Sequence, residues 1–353
     1  MKQKIGDQKI WRASAPSNIA LIKYMGKVDS LGNHPSNSSL SYTLDHLQSY
    51  VELKLVNLTQ DVDSWRPLEV EDLSKFEDAL SPSFTKPNLN AQAQTRFLKH
   101  LKFVKDSFQF QGSFEVRSAN GFPADCGLAS SASSFAALTL CASQALTELT
   151  GRKSFSRLEI SEMSRHGSGS SCRSLFSPWA IWNFEGASPV DLGIKKLIHQ
   201  VVVVDSAKKK VSSSEAHKRV TTSPLFLNRR ERAELRLKEL MTSLRANNWA
   251  ASYQIMWSEF WDMQALFETS KPSFGYLSAD SVQVLRWLQL NTWEHLGDGP
   301  LITMDAGPNV HLLYREDQRE MAEMVQRELT PMMNVLSSYD FESYLRHSIK
   351  SSK

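Results

Sequence analysis

The chain has 353 residues, 41% hydrophobic and 22% charged, with a formal net charge of +3. That length exceeds what one core usually fills and predicts two lobes, while the interspersed, near-balanced charge argues against a dedicated nucleic-acid binder. Three cysteines without a CxxC pair point to free thiols in a reducing compartment rather than a disulfide frame, and the nine histidines lack metal-ligand spacing.

The N-terminus, "MKQKIGDQKIWRASAPSNIALIKY", is charged and lacks the apolar region of a signal peptide. No apolar run approaches the ~20 residues of a membrane span, so a cytoplasmic protein is expected. "SNIALIKYMGK" then brings Asn18, Lys23, Tyr24 and Lys27. The two lysines would share a face if this region turned helical; solvated lysines are the plainer reading. Residues 49–57, "SYVELKLVN", read as a strand. The polar stretch 59–90 predicts a surface loop with a short helix from Leu68 to Leu80. A helix over 90–106 and a strand at "GSFEVRSA" (112–119) follow.

The strand period stops at "NGFPADCGLASSAS", residues 120–133. Pro123 restricts its own φ and the residue before it, and Gly127 can take positive φ and admit a ligand close to the backbone. From Leu128 to Leu149 a helix runs without a breaker, with Gly151 as its stop. Ser130 and Ser131 therefore fall in its first turn, where free N–H groups and the positive dipole end favour an anion. The missing or small side chains of Gly127 and Ala129 leave room for a triphosphate. Ser130 as a simple N-cap fits the stretch alone equally well, and the absence of Gly-Lys-Ser/Thr excludes the Walker pattern.

A helix over 157–166 leads into "SRHGSGSSCRSLF", residues 164–176, where serine hydroxyls precede Arg173. Hydroxyls beside a guanidinium suit a phosphate or diphosphate. Taken alone, a flexible loop with Arg173 in a structural salt bridge is the simpler reading. "VVVV" (201–204) is a buried-looking strand, followed by a polar stretch to residue 228. A helix from Arg229 to Arg245 has Asn228 available as N-cap and Ala233, Leu237, Leu240, Met241 and Leu244 at helical spacing. Its charged opposite face reads as solvated, with a polyanion-binding surface as the alternative. Helices over 249–268, 278–291 and 316–329 and strands at 301–304 and 310–314 complete the pattern. Asp305 stands where a strand stops before Gly307-Pro308, a common place for a catalytic acid and also for a turn cap. Strands and helices mix without strict βαβ alternation, which predicts α+β.

Five segments, "APSNIALIKYMGK", "HPSNSSLSYTLD" (34–45), "NGFPADCGLASSAS", "SRHGSGSSCRS" and "DAGPN", spread in order from residue 15 to 309. Together they resemble the GHMP kinase superfamily, and within it the mevalonate diphosphate decarboxylase family. The resemblance implies a ribosomal protein S5 domain 2-like N-terminal lobe over 1–190 and a ferredoxin-like C-terminal lobe over 191–353, the last segment returning to the first lobe. It implies an active site in the cleft between them, and a homodimer. ATP with Mg²⁺ would phosphorylate the 3-hydroxyl of mevalonate 5-diphosphate, and loss of phosphate and CO₂ would give isopentenyl diphosphate. The carried-over roles are catalytic for Asp305, Lys23 and Arg173. Substrate binding falls to Asn18, Tyr24, Lys27, Ser168, Ser170 and Ser212, with Arg173 again. ATP binding falls to Pro123, Gly127, Leu128, Ala129, Ser130 and Ser131, the last holding Mg²⁺ through the phosphates.

Three segments depart from the family pattern: Met25 replaces the usual Trp of K-Y-W-G-K, "VSSSEAH" (211–217) replaces V-S-S-T-x-G-M, and "WSEFWDM" (257–263) stands where D-S-N-x-F-H is usual. Before the phosphate loop, the helix offers Arg96 and Lys99, neither aligned with the basic residue that relatives point at the diphosphate. The competing readings are a decarboxylase of mevalonate 5-phosphate, a 3-kinase that stops at the phosphorylated alcohol, a silent ligand sensor, and a nucleic-acid module built on "KKK" (208–210) and the basic helix.

Overall fold

The computed structural model describes residues 9–28, 32–60, 62–76, 89–123, 127–205 and 210–338. Cys126, the end of the expected helix at Leu68–Leu80, two of the three lysines of "KKK" and the segment after residue 338 lie outside them. Contacts divide the chain into two compact units. The first comprises Met1–Asn18, Lys27–Ser36 and Ser41–Pro189, the second Ile19–Gly26, Asn37–Leu40 and Val190–Lys353.

The first unit holds β1 (Ile10–Ile22) as far as Asn18 and the long β2 (Ser39–Asn57) from Ser41, and these strands pair with each other. Short β3 (Ser64–Pro67) runs parallel to β4 (Ser113–Asn120), which in turn pairs antiparallel with β2, Tyr50 facing Ala119. β5 (Trp179–Asn183) and β6 (Gly186–Pro189) complete a six-stranded sheet on β2's other side. Among the described residues, three α-helices serve this unit: α1 (Ala91–Ser107), α2 (Ser130–Thr150) and α3 (Arg157–Gly167). The second unit holds a four-stranded antiparallel sheet of β7 (Ile198–Val203), β8 (Leu301–Thr303), β9 (Val310–Tyr314) and β10 (Asn334–Ser337), in the order β10-β7-β9-β8. With it go α4 (Ser213–Arg219), α5 (Arg229–Arg245), α6 (Trp249–Glu268), α7 (Ala279–Leu288) and α8 (Arg319–Leu329). Two sheets with segregated helices meet the α+β expectation.

Local chemistry explains most of these boundaries. Asn90 caps α1 by accepting from the Ala93 N–H, and Ser156 with Glu159 forms a full capping box on α3. α2 is buried at 12 of its 21 residues because much of its surface carries Ala, Leu, Cys and small polar residues, and it stops at Gly151 in the left-handed region. Asn228 does precede α5, but at φ 60° its side chain makes no capping bond. The expected helix beyond Leu68 is a 3₁₀ turn, Val70–Lys75.

α1, α2 and α3 meet at Gly167, where a Cβ would sit 2.2 Å from the Phe135 ring and 2.9 Å from that of His100. Gly167→Ala should therefore destabilise the protein by about 1–3 kcal/mol, as overpacking does. A denaturant midpoint equal to that of the parent protein would contradict this contact.

His100 is buried and its Nε2 lies 2.8 Å from the Thr139 hydroxyl. That hydroxyl donates to the Phe135 carbonyl, so the ring's Nε2–H is the donor to Thr139. Burial pushes the imidazole down to about 3, with His166 and Arg96 adding to the effect. The folded state keeps His100 neutral while the unfolded chain takes up a proton below about 6.5. Stability is therefore complete above that pH and falls as pH drops toward the folded value, by up to about 1.4 kcal/mol per pH unit from this group. Melting temperatures from pH 7 to 4 should fall less steeply in His100→Gln; parallel slopes would remove His100 from the account.

Candidate active site

In the first unit, the small and hydroxylated residues of β1, the start of α2 and the segment after α3 form one hydrogen-bonded group. Gly127 takes φ 92° and Ala129 φ 51°, so the backbone reverses immediately before Ser130 opens α2. Ser130 is thus the first helical residue and Ala129 the cap position, which disposes of Ser130 as a simple N-cap. Ser17 donates to the Leu128 carbonyl at 2.7 Å, fixing this turn to β1. Ser131 Oγ lies 3.3 Å from Ser168 Oγ.

The segment after α3 is a 3₁₀ turn, Gly169–Leu175, not a flexible loop. Ser171 is buried and donates to the carbonyls of Ser164 and Ser168, and Arg96 donates to the Gly167 carbonyl at 2.6 Å. Asn18 donates to Ser174 Oγ at 2.8 Å and to the Ser170 carbonyl at 3.2 Å. Its oxygen accepts from Arg173 Nε at 3.3 Å, and the guanidinium sits 5.5 Å from the centre of the Trp182 ring. Arg173 and Asn18 are both buried, so the cation is oriented before any ligand arrives. Lys27 Nζ donates to Asn33 Oδ1 at 2.6 Å, and Asn33 donates to the Arg165 carbonyl at the end of α3. The region of Lys23 and Lys27 is not helical: β1 ends at Ile22, and Lys27 makes an isolated bridge with Pro35.

The second unit holds the other group. Asp305 follows β8 and Met304, in a turn closed by the Gly307 N–H on the Asp305 carbonyl. Asn309 accepts from the backbone of Val204 and Asp205, and Ser281 donates to the Pro308 carbonyl, so the turn is pinned from two sides. Lys23 Nζ donates to Asp305 Oδ1 at 2.8 Å; the lysine side chain is 2% exposed and the carboxylate 25%. The ring of Tyr24 packs against His217, centroids 4.3 Å apart, while His217 Nδ1 accepts from the Gly26 N–H. Ser212 accepts from the Glu215 N–H as the N-cap of α4.

Sequence reasoning assigned no role to Ser17, Asn33, Asn37, His217, Arg229 or Glu259. Asn37 lies within a motif string, but its bond to the Lys23 carbonyl has no local signature. The polyanion reading of α5 loses three of its cations, because Arg229, Arg232 and Arg236 are all paired with Glu259 or Asp262. Among the described residues, no helix is long and apolar enough to cross a membrane.

Residues 15–189 match the diphosphomevalonate decarboxylase-like N-terminal domain, and residues 199–352 match the mevalonate 5-diphosphate decarboxylase C-terminal domain. The diphosphomevalonate decarboxylase of Debaryomyces hansenii is 32% identical over 86% of this chain and 79% of its own. The chain belongs to the diphosphomevalonate decarboxylase family. The family's enzymes are carboxy-lyases. The crystal structure of a mevalonate diphosphate decarboxylase from Legionella pneumophila is 46% identical, with a TM-score of 0.84 over 93% of this chain and 100% of that one. A solved complex of MDDEF with MVAPP, AMPPCP and magnesium is 26% identical, with a TM-score of 0.76 over 94% of this chain and 96% of that one.

The three departures from the family pattern meet in one place. Met25, Ala216 and Met263 pack in a single apolar cluster with Val220, Leu266, Phe267, Phe274 and Tyr276. Met25 is 4% exposed and lies inside this cluster.

Proposed function

We propose that this chain catalyses ATP-dependent decarboxylation of mevalonate 5-diphosphate to isopentenyl diphosphate, releasing ADP, phosphate and CO₂. The observation that carries the reading is the Lys23–Asp305 pair: a buried ammonium 2.8 Å from a carboxylate that remains a quarter exposed. A carboxylate held this way can face a substrate hydroxyl, while its charge is balanced from behind. The same reading divides the chain into an N-terminal GHMP lobe, 1–190, and a C-terminal one, 191–353.

Asp305 accepts the proton of the 3-hydroxyl, or holds it, while the hydroxyl oxygen attacks the γ-phosphorus and ADP leaves. Phosphoryl transfer depends chiefly on positioning and charge stabilisation. Phosphate then leaves C3 with its bonding pair, and the electron pair of the C–C bond to the carboxylate becomes the new double bond as CO₂ departs. Arg173, with Asn18 orienting it, holds the carboxylate. Tyr24, Lys27, Ser168, Ser170 and Ser212 are assigned to the diphosphate end.

The start of α2, with Pro123, Gly127, Leu128, Ala129, Ser130 and Ser131, is assigned to the ATP phosphates. Backbone donors at a left-handed turn and a helix N-terminus suit that charge. Among the described residues, no group of three or more His, Cys, Asp or Glu is placed to hold a metal. The family reading has Mg²⁺ carried by the phosphates with the Ser131 hydroxyl beside it, where it would neutralise charge on the transferring group.

The test is product analysis with Mg²⁺-ATP and mevalonate, its 5-phosphate or its 5-diphosphate. Equal ADP, phosphate and isopentenyl diphosphate from the diphosphate alone is the expected result. Isopentenyl phosphate from the monophosphate would reassign the substrate, and a stable 3-phosphate would reassign the reaction to a kinase.

A further inference from the structure

Lys23 is held at both ends of its backbone as well as at its ammonium. Its N–H donates to Glu259 Oε1 at 2.9 Å. Its carbonyl accepts from Asn37 Nδ2 at 3.0 Å and from Arg229 Nη2 at 3.2 Å. Arg229 Nη2 also bonds Glu259 Oε1, and Arg229 Nη1 bonds Glu259 Oε2 at 2.9 Å, giving a two-pronged pair. Glu259 is 0% exposed and Arg229 1%. Arg236 reaches Glu259 at 3.0 Å and Asp262 at 2.8 Å, while Arg232 reaches Asp262 at 2.9 Å.

A buried ion pair of this kind is weak evidence for stability, because removing two charges from water costs several kcal/mol that their attraction only roughly offsets. What the pair supplies here is direction. Lys23 lies just past the end of β1. The Glu259 carboxylate and the Arg229 guanidinium hold its backbone there, and the carboxylate belongs to "WSEFWDM", a segment that departs from the family pattern.

We propose that Arg229 and Glu259 are positioning residues for Lys23, clamping its main chain so that its ammonium stays on Asp305. The proposal rests on the reading of Lys23 and Asp305 given above. Both are buried and act through the geometry of the catalytic pair.

The test compares Arg229→Met/Glu259→Leu with Glu259→Gln in the full chain. The double variant replaces the ion pair by apolar groups of similar volume, an exchange that cores often accept, but leaves the Lys23 N–H without its acceptor. It should fold, lose at least ~10-fold in kcat, and keep KM for ATP and substrate within about threefold, since the binding groups are untouched. Glu259→Gln retains a carbonyl acceptor and should hold kcat within about threefold of the parent protein. Crystal structures should show the Lys23–Asp305 contact broken in the double variant and kept in Glu259→Gln. A folded double variant with full kcat and an intact contact would overturn the proposal. If it does not fold, Arg229→Lys decides, because an ammonium cannot reproduce the planar fork that grips both Glu259 oxygens while reaching the Lys23 carbonyl: a several-fold fall in kcat supports the clamp, and unchanged kcat overturns it. Should the parent protein show no decarboxylation, the functional reading fails by itself, and the crystallographic comparison still decides the clamp.

Discussion

Asp305→Asn should lower kcat for decarboxylation by about 10²–10⁴-fold, the usual contribution of a positioned acid–base group. The amide has nearly the shape of the carboxylate, and the turn that carries Asp305 is fixed by backbone groups and by Asn309, so the local fold should survive. Two things change. The group can no longer take the proton of a tertiary alcohol, and the Lys23 ammonium, 2% exposed, faces a neutral partner. A buried charge without its counter-charge is costly, so some loss of thermal stability should accompany the loss of rate. On the proposed role, in which Asp305 serves the phosphoryl-transfer step, ADP release and CO₂ release should fall together. ADP formed at the parental rate without CO₂ would place Asp305 after phosphorylation, and a kcat within tenfold of the parent would remove it from the chemistry.

The residues that could be recognised in the sequence are those carried on contiguous strings of unusual composition. The start of α2 was legible because a proline, a glycine and small hydroxylated residues precede a long apolar helix. Asp305 was legible because an acid stands between a strand and a Gly-Pro turn. Most helices were legible by period, as α1 and α6 show: residues 90–106 and 249–268 were expected, and Ala91–Ser107 and Trp249–Glu268 are found. β1 was not read as a strand, although its last residues are buried. Its middle carries Ser17 and Asn18, whose polar groups are satisfied across long sequence separations, so the apolar alternation that marks a strand is absent. β3, β6 and β10 are only four residues each and mix polar or turn-forming with apolar residues, unlike the apolar runs that mark the comparably short β8 and β9; β5 has no strand expectation either. The pairing of Arg229 with Glu259, 30 residues apart, and the meeting of Met25, Ala216 and Met263 are products of tertiary packing. A charged helix face looks solvated until its partner helix is known, which is why three arginines of α5 were read as surface.

Arg173→Gln should cut kcat/KM by about 10²–10³-fold, the equivalent of roughly 2.7–4 kcal/mol at a charge-stabilising donor. Arg173 is 3% exposed, and its guanidinium is held by Asn18 on one side and lies over Trp182 on another. That arrangement fixes the plane of the fork, so Arg173→Lys should fail to restore activity although it keeps the charge. The signature should differ from that of Asp305→Asn. A guanidinium that holds the carboxylate contributes both to substrate binding and to aligning the C–C bond with the departing phosphate. KM for mevalonate 5-diphosphate should therefore rise, and phosphoryl transfer should suffer less than decarboxylation, so that ADP is formed in excess of CO₂. A variant that loses ADP and CO₂ in equal measure, with unchanged KM, would instead assign Arg173 to the phosphoryl-transfer step, and a fully active Arg173→Lys would reduce its contribution to charge alone.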